Sequence, residues 1–304
     1  MTTTTAPVVV EPAPARPEAH SWRDVFAVGS PRRVGLVVVV LAAAVFGYES
    51  VLITVFDARS WWGHDLVRTS GSFLVVFAVI AALAGYRSTQ RGRLTVFLLT
   101  GWTAISLVSW LPRQRPPAWP ELAQLGWWAG WCIAIYVAVP VGYALVHRQS
   151  IRSYGLRLGL FRGELRIFAV LLPAIVAGAY LSAGQPRFQQ TYPFYTDWSA
   201  GRGTLAGLLA WWAMYALTFV ALEFFYRGFL VTAGFGLLGW WAIPAMAAPY
   251  CLLHLDKPLP EMVTSLFGGL VLGVIALRTR SILAGVLAHV TLAVGTDAAV
   301  LLRR

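Results

Sequence analysis

Charge is what this sequence has least of. Only 12% of its 304 residues are Asp, Glu, Lys or Arg, where a soluble globular domain carries roughly 25%, so the chain cannot clothe a water-facing surface. Lysine is nearly absent: Lys257 stands alone against 23 arginines. With 13 acidic residues the formal net charge is +11. The arginines are strung through the short connections between apolar runs, where membrane topology explains them, and no nucleic-acid partner is expected. The two cysteines, Cys132 and Cys251, lie in apolar runs without the spacing of a zinc knuckle or a disulfide framework, and read as packing residues. Residues 1–21, MTTTTAPVVVEPAPARPEAHS, lack the basic start and apolar core of a secretory signal; their Thr, Pro and Ala content reads as a disordered tail. No internal repeat is apparent, which argues against a transporter built from inverted halves.

What the sequence has in abundance is apolar length. Hydrophobic residues make up 58% of the chain, with a mean hydropathy of +0.66. A helix rises about 1.5 Å per residue, so a run of about 20 apolar residues matches a hydrocarbon core of about 30 Å. Such runs fall near residues 34–56, 71–86, 94–111, 126–146, 166–183, 204–232, 239–254, 261–277 and 281–301. Lipid satisfies no open backbone, so the expected fold is all-α, a polytopic helical membrane protein with about eight or nine transmembrane helices. The organisation reads as a tail at 1–21, N-terminal helices of unassigned role over 22–190, and a C-terminal transmembrane core over 191–304. In the run at 261–277, Ser265, Gly269 and Gly273 recur every four residues and form a face on which another helix can pack closely.

Ionisable side chains at membrane depth are costly and need a partner or a purpose. Glu49 is the clearest case early in the chain; the rest cluster late, as Glu223, Arg227, His254, His289 and Asp297. Glu223 and Arg227 lie four apart in ALEFFYRGFL, on one helix face, where they can pair. His254 ends the run PYCLLH, and His289 sits well inside SILAGVLAHVTLAVG. A carboxylate and two imidazoles on three helices suffice to take a proton from water, relay it and stabilise an oxyanion. Glu223, His254 and His289 would also serve as three zinc ligands. In a transporter the same charges would line a pathway.

The segment EFFYRGFL, the Tyr250-to-His254 stretch YCLLH, the following HLDKPLPE, the terminal LAHV helix and the upstream TYPFY resemble the CPBP family, the CAAX-protease and bacteriocin-processing group of intramembrane glutamic endopeptidases, type II CAAX prenyl proteases among them. The resemblance spans about residues 190–300. It implies metal-free hydrolysis, with no cofactor, of a membrane-associated peptide or protein substrate; separately, the excess of arginine over lysine points to a high-GC bacterial source, and so to a bacterial inner membrane. Carried over by position, the resemblance gives Glu223, His254 and His289 catalytic roles, with Arg227 and Tyr250 in support; Asp297, from its depth in the last run, and Thr291 are further candidates beside them. In the family a glutamate precedes the one aligned with Glu223, and an asparagine follows the last histidine; here those positions are Leu222 and Ala293. Two accounts follow. Either Glu223 is the general base beside His254 while His289 polarises the scissile carbonyl, or the chain is a degenerate relative that binds a membrane partner without cutting it.

Placing the N-terminus in the cytoplasm puts Arg32, Arg33, Arg87, Arg91, Arg93, Arg148, Arg152, Arg157, Arg162, Arg278 and Arg280 on the inner side. A cysteine introduced between Arg148 and Arg162 is therefore predicted to resist a membrane-impermeant thiol reagent applied to intact cells. Labelling from outside would reverse the orientation.

Overall fold

The computed structural model describes residues 64–83, 91–156, 161–254 and 257–303. The expected tail at 1–21, the span at 34–56 and Glu49 lie outside them. The described residues contain eight helices of 11 residues or more and no strand. They are α1 His64–Leu83, α2 Arg91–Trp110, α3 Glu121–Val146, α4 Phe161–Ser182, α5 Leu205–Glu223, α6 Ala242–Leu252, α7 Leu259–Thr279 and α8 Leu283–Leu301. Every apolar run from residue 71 onward thus has a helix. Six segments among the described residues are long and apolar enough to cross a membrane. One of these covers 205–252 as a whole, and the apolar stretch Ser70–Ala82 is shorter. The protein is a polytopic helical membrane protein.

Local chemistry sets the boundaries that matter. Thr204 opens α5 by accepting the Gly207 N–H on its hydroxyl at 3.1 Å, which satisfies one of the donors left free at a helix start. Beyond Glu223 the helix continues without a break but widens into π-helical turns over Phe224–Ala233. The Gly234 N–H reaches back five residues to the Phe229 carbonyl at 3.1 Å, and the Thr232 hydroxyl donates to the Arg227 carbonyl at 2.8 Å. Wide turns of this kind occur at functional sites more often than elsewhere. The chain then turns at Gly239, whose φ of +56° is open to glycine without strain. It re-enters as α6, whose 11 residues rise only about 16 Å.

The α5 helix and its π-helical extension stand at the centre. They pack against α3, α6, α7 and α8, while α4 lies along α8 and α1 lies against α2 and α6. Residues Phe224 to Thr232 are all buried, as expected for a segment apolar on every side. The small-residue face of α7 does meet α6: a Cβ on Gly269 would stand 3.2 Å from the Ala247 methyl, and one on Gly273 3.1 Å from Ile243 and Met246. Both cysteines are free, with Cys132 buried.

Gly228, next to Arg227 in the π-helical turns, has no such slack. A Cβ there would collide with the Tyr154 carbonyl oxygen, a backbone atom, and touch the Phe224 ring at 3.4 Å. Gly228→Ala should therefore destabilise the protein by about 1–3 kcal/mol. Gly268→Ala, on an open face of α7 with nothing within 4 Å, should leave stability unchanged. Thermal melts of the two variants in detergent compare them; equal Tm values would refute the contact.

Candidate active site

Burial selects the site. Glu223, Arg227 and Asp297 are each 0% exposed, and a charge at that depth persists only with a partner. Glu223 stands at the end of α5, and Arg227 follows one turn later in the π-helical segment. Arg227 NH1 lies 2.9 Å from Glu223 Oε1. The same oxygen lies 2.5 Å from Nδ1 of His289 on α8. The guanidinium also sits 4.9 Å from the centre of the Tyr250 ring, a cation–π contact strengthened by the absence of water.

The hydrogen bonds assign the histidine tautomers. A carboxylate paired with Arg227 accepts, so the contact calls for a donor at His289 Nδ1, and in the neutral tautomer that meets this demand the acceptor is Nε2. Tyr250 fills that position: its hydroxyl oxygen is 2.9 Å from His289 Nε2. Phe219, one turn before Glu223, stacks on the imidazole at 5.4 Å with the planes only 9° apart, which fixes the ring's orientation. His254 Nδ1 lies 2.8 Å from the Tyr250 carbonyl oxygen one helical turn earlier. That carbonyl can only accept, so the His254 lone pair is at Nε2. Burial pushes the His254 pKa down to about 4 against the pull of this hydrogen bond, and nearby Lys257, His289 and Arg227 push the same way. His254 is therefore neutral at pH 7.

A cavity of 470 Å³ opens beside these groups, lined by His254, His289, Tyr250 and Phe219 and by apolar and small residues of α4, α7 and α8 such as Ile175, Leu272 and Ala288. This size lies within the range of small-molecule sites. Ala293 lines it as well. Glu223 is not part of the wall and meets the cavity only through His289. At its rim the Tyr192 hydroxyl donates to Glu261, 2.9 Å from each carboxylate oxygen. Lys257 donates to the same hydroxyl at 3.3 Å and lies 4.1 Å over the Phe194 ring. Burial lowers the Lys257 pKa, against the opposing influence of Glu261 and Asp297.

The structure brings together Glu223, Arg227, Tyr250 and His289, with His254 attached through the Tyr250 backbone. Glu223 takes His289 as its hydrogen-bonded histidine. Asp297 stands apart, two turns beyond His289, where its Oδ2 accepts the indole N–H groups of Trp211 at 3.3 Å and Trp212 at 3.2 Å. Among the described residues no group of three His, Cys, Asp or Glu side chains converges in a way that could hold a metal ion. Three contributors went unassigned in the sequence: Phe219, the Glu261–Lys257–Tyr192 rim and Gly285. Gly285 lies one turn before His289, and a Cβ there would overlap Glu223 Oε2 and stand 2.8 Å from its carboxyl carbon. Its signal was the four-residue spacing of Gly285 and His289, which puts both on the α8 face that meets Glu223.

Residues 204–294 match the family model of the type II CAAX prenyl endopeptidase Rce1-like proteins. The matched segment holds Glu223, Arg227, Tyr250, His254 and His289 and ends before Asp297. No curated protein and no solved structure matches the chain.

Removing Arg227 would strand the Glu223 carboxylate in a dry interior. Arg227→Ala is predicted to cost about 3–5 kcal/mol, read as lost abundance and a lower Tm. Arg227→Lys should fall between alanine and wild type, since an ammonium keeps the charge but not the planar fork. An alanine variant that melts like wild type would mean that the pair carries no such energy.

Proposed function

Taking the chain as a member of the CAAX-protease family through residues 204–294, we propose that it is an intramembrane endopeptidase that hydrolyses a membrane-associated peptide or protein with water activated by Glu223, His289 and His254. The observation that carries the proposal is the buried Glu223–His289 hydrogen bond, which ends on a cavity that His254 also lines. The mostly apolar wall between α4 and α7 suits an apolar stretch of substrate, and the histidines stand where its scissile bond would lie.

The geometry favours roles that differ from the simplest transfer of the family pattern. Glu223 has no contact with the cavity and acts through His289: it fixes the Nδ1–H tautomer and stabilises the positive charge that the ring gains on taking a proton, as the carboxylate of a catalytic triad does. Arg227, 2.9 Å from Glu223 Oε1, supplies the compensating charge. Neutral His254, with its free Nε2 lone pair, accepts one hydrogen bond from the attacking water and aims its oxygen at the carbonyl carbon. The reaction needs no metal, and the proposed site employs no cofactor.

Glu223→Gln, His289→Ala and His254→Ala should each cut peptide hydrolysis by about 100- to 10,000-fold, compared per folded protein because Glu223→Gln also leaves buried Arg227 without its counter-charge. Gly285→Ala should act like Glu223→Gln while leaving both side chains in the sequence, because its methyl displaces the carboxylate from His289. A chelator should have no effect. The assay is cleavage of internally quenched leader and C-terminal peptides by the protein reconstituted in liposomes. Histidine-independent cleavage, or loss of activity to a chelator with recovery on added zinc, would overturn the proposal. A protein that binds such peptides and cuts none of them would instead be the partner-binding scaffold.

A further inference from the structure

Four residues before His254 stands Tyr250, on α6. Its hydroxyl has a definite place. It stands 2.9 Å from His289 Nε2, the only ring nitrogen of His289 that Glu223 does not already engage. Tyr250 also lines the cavity, between the two histidines: its ring centre is 4.8 Å from that of His254 and 5.8 Å from that of His289. The base formed by Glu223 and His289 is thus capped on its cavity side by a phenol. Because the phenol occupies Nε2, a proton from the cavity reaches that nitrogen through the Tyr250 oxygen.

We propose that Tyr250 is a catalytic residue of this site, a proton relay that carries the proton of the attacking water to His289. The inference rests on the endopeptidase reading above. In the resting state the Tyr250 O–H donates to His289 Nε2, and the phenol oxygen keeps lone pairs for a proton of the water. As the water oxygen forms its bond to the carbonyl carbon, that proton passes to the Tyr250 oxygen and the phenolic proton passes to Nε2. His289 becomes an imidazolium held by Glu223, the phenol is neutral again, and the negative charge resides on the carbonyl oxygen of the tetrahedral intermediate. When the C–N bond breaks, Nε2 returns its proton to the phenol oxygen as the phenol gives its own to the leaving nitrogen. The carbonyl re-forms, and the products are a carboxylic acid and an amine. No proton or electron is left over, and no co-reactant is needed.

Glu223, His289 and Tyr250 form a carboxylate–imidazole–hydroxyl chain in which each member is hydrogen-bonded to the next. The hydroxyl and the imidazole both reach the cavity wall, and only the carboxylate behind them stays wholly in the protein interior.

Tyr250→Phe removes the hydroxyl alone. The ring that Arg227 covers and that Tyr226 contacts edge-on at 5.1 Å remains, so the variant should fold and melt like wild type. The expected result, with the reconstituted protein and the quenched peptides, is a kcat lower by about 100-fold or more with KM unchanged. The solvent isotope effect should change with it: a proton inventory that bows for wild type, where two protons move together, becomes linear or disappears in the variant. A Tyr250→Phe protein with the kcat and proton inventory of wild type overturns the relay while Glu223- and His289-dependent cleavage keeps the endopeptidase reading. An acyl group found on Tyr250 by mass spectrometry after rapid quenching would overturn it too, by making the phenol a nucleophile. A wild-type protein that cleaves nothing removes both.

Discussion

A carboxylate with no access to water organises this protein. Glu223 sits at the seam between α5, the π-helical turns and α8, and its Oε1 serves Arg227 and His289 together. Burying such a charge is paid for only if each neighbour is placed to within a fraction of an ångström. That requirement explains the surroundings: Gly285 leaves room for Oε2, Phe219 holds the imidazole flat, and the Tyr250 ring covers the guanidinium. Each of these residues lies one turn from a member of the site or faces it across a helix contact.

The same constraint separates what touches substrate from what does not. The Glu223–Arg227 pair stays in the interior, and of the groups joined to it the Tyr250 and His289 rings reach the cavity wall. A polar chain that starts at Arg227 and ends at the Tyr250 hydroxyl conveys the effect of a buried charge to a place where water and peptide can meet. The surrounding wall is mostly apolar, as a substrate drawn from a membrane would require. The second polar cluster, Glu261 with Tyr192 and Lys257, stands at the rim and ties the start of α7 to the segment that precedes α5.

Much of this was legible in the residues. Apolar length predicted a helix for every run from residue 71 onward, the four-residue spacing of Ser265, Gly269 and Gly273 predicted the face of α7 that meets α6, and the spacing of Glu223 and Arg227 predicted their pairing. What escaped depends on register and on contacts between distant segments. A regular α-helix was assumed through EFFYRGFL, and no local signal announces the π-helical turns that re-aim everything after Glu223. Asp297 looked like a member of the site from its depth in the last run, but its partners are indoles on α5, some 85 residues earlier in the chain. Glu164 precedes the apolar run at 166–183, yet it is 0% exposed, and among the described residues neither of its oxygens has a hydrogen-bond partner. Nothing in the structure explains that burial. The choice of His289 over His254 as the partner of Glu223 required the crossing of α5 and α8, which pairwise spacing along the chain does not encode.

The central claim is that Glu223 sets the proton on His289, and nitrogen-15 NMR of that imidazole in the reconstituted protein tests it most directly. At neutral pH the account predicts a ring protonated at Nδ1 and hydrogen-bonded as an acceptor at Nε2, with the Nδ1 proton far downfield and both signals altered in Glu223→Gln. A His289 ring protonated at Nε2, or one whose signals are the same with glutamate and glutamine at 223, would contradict it.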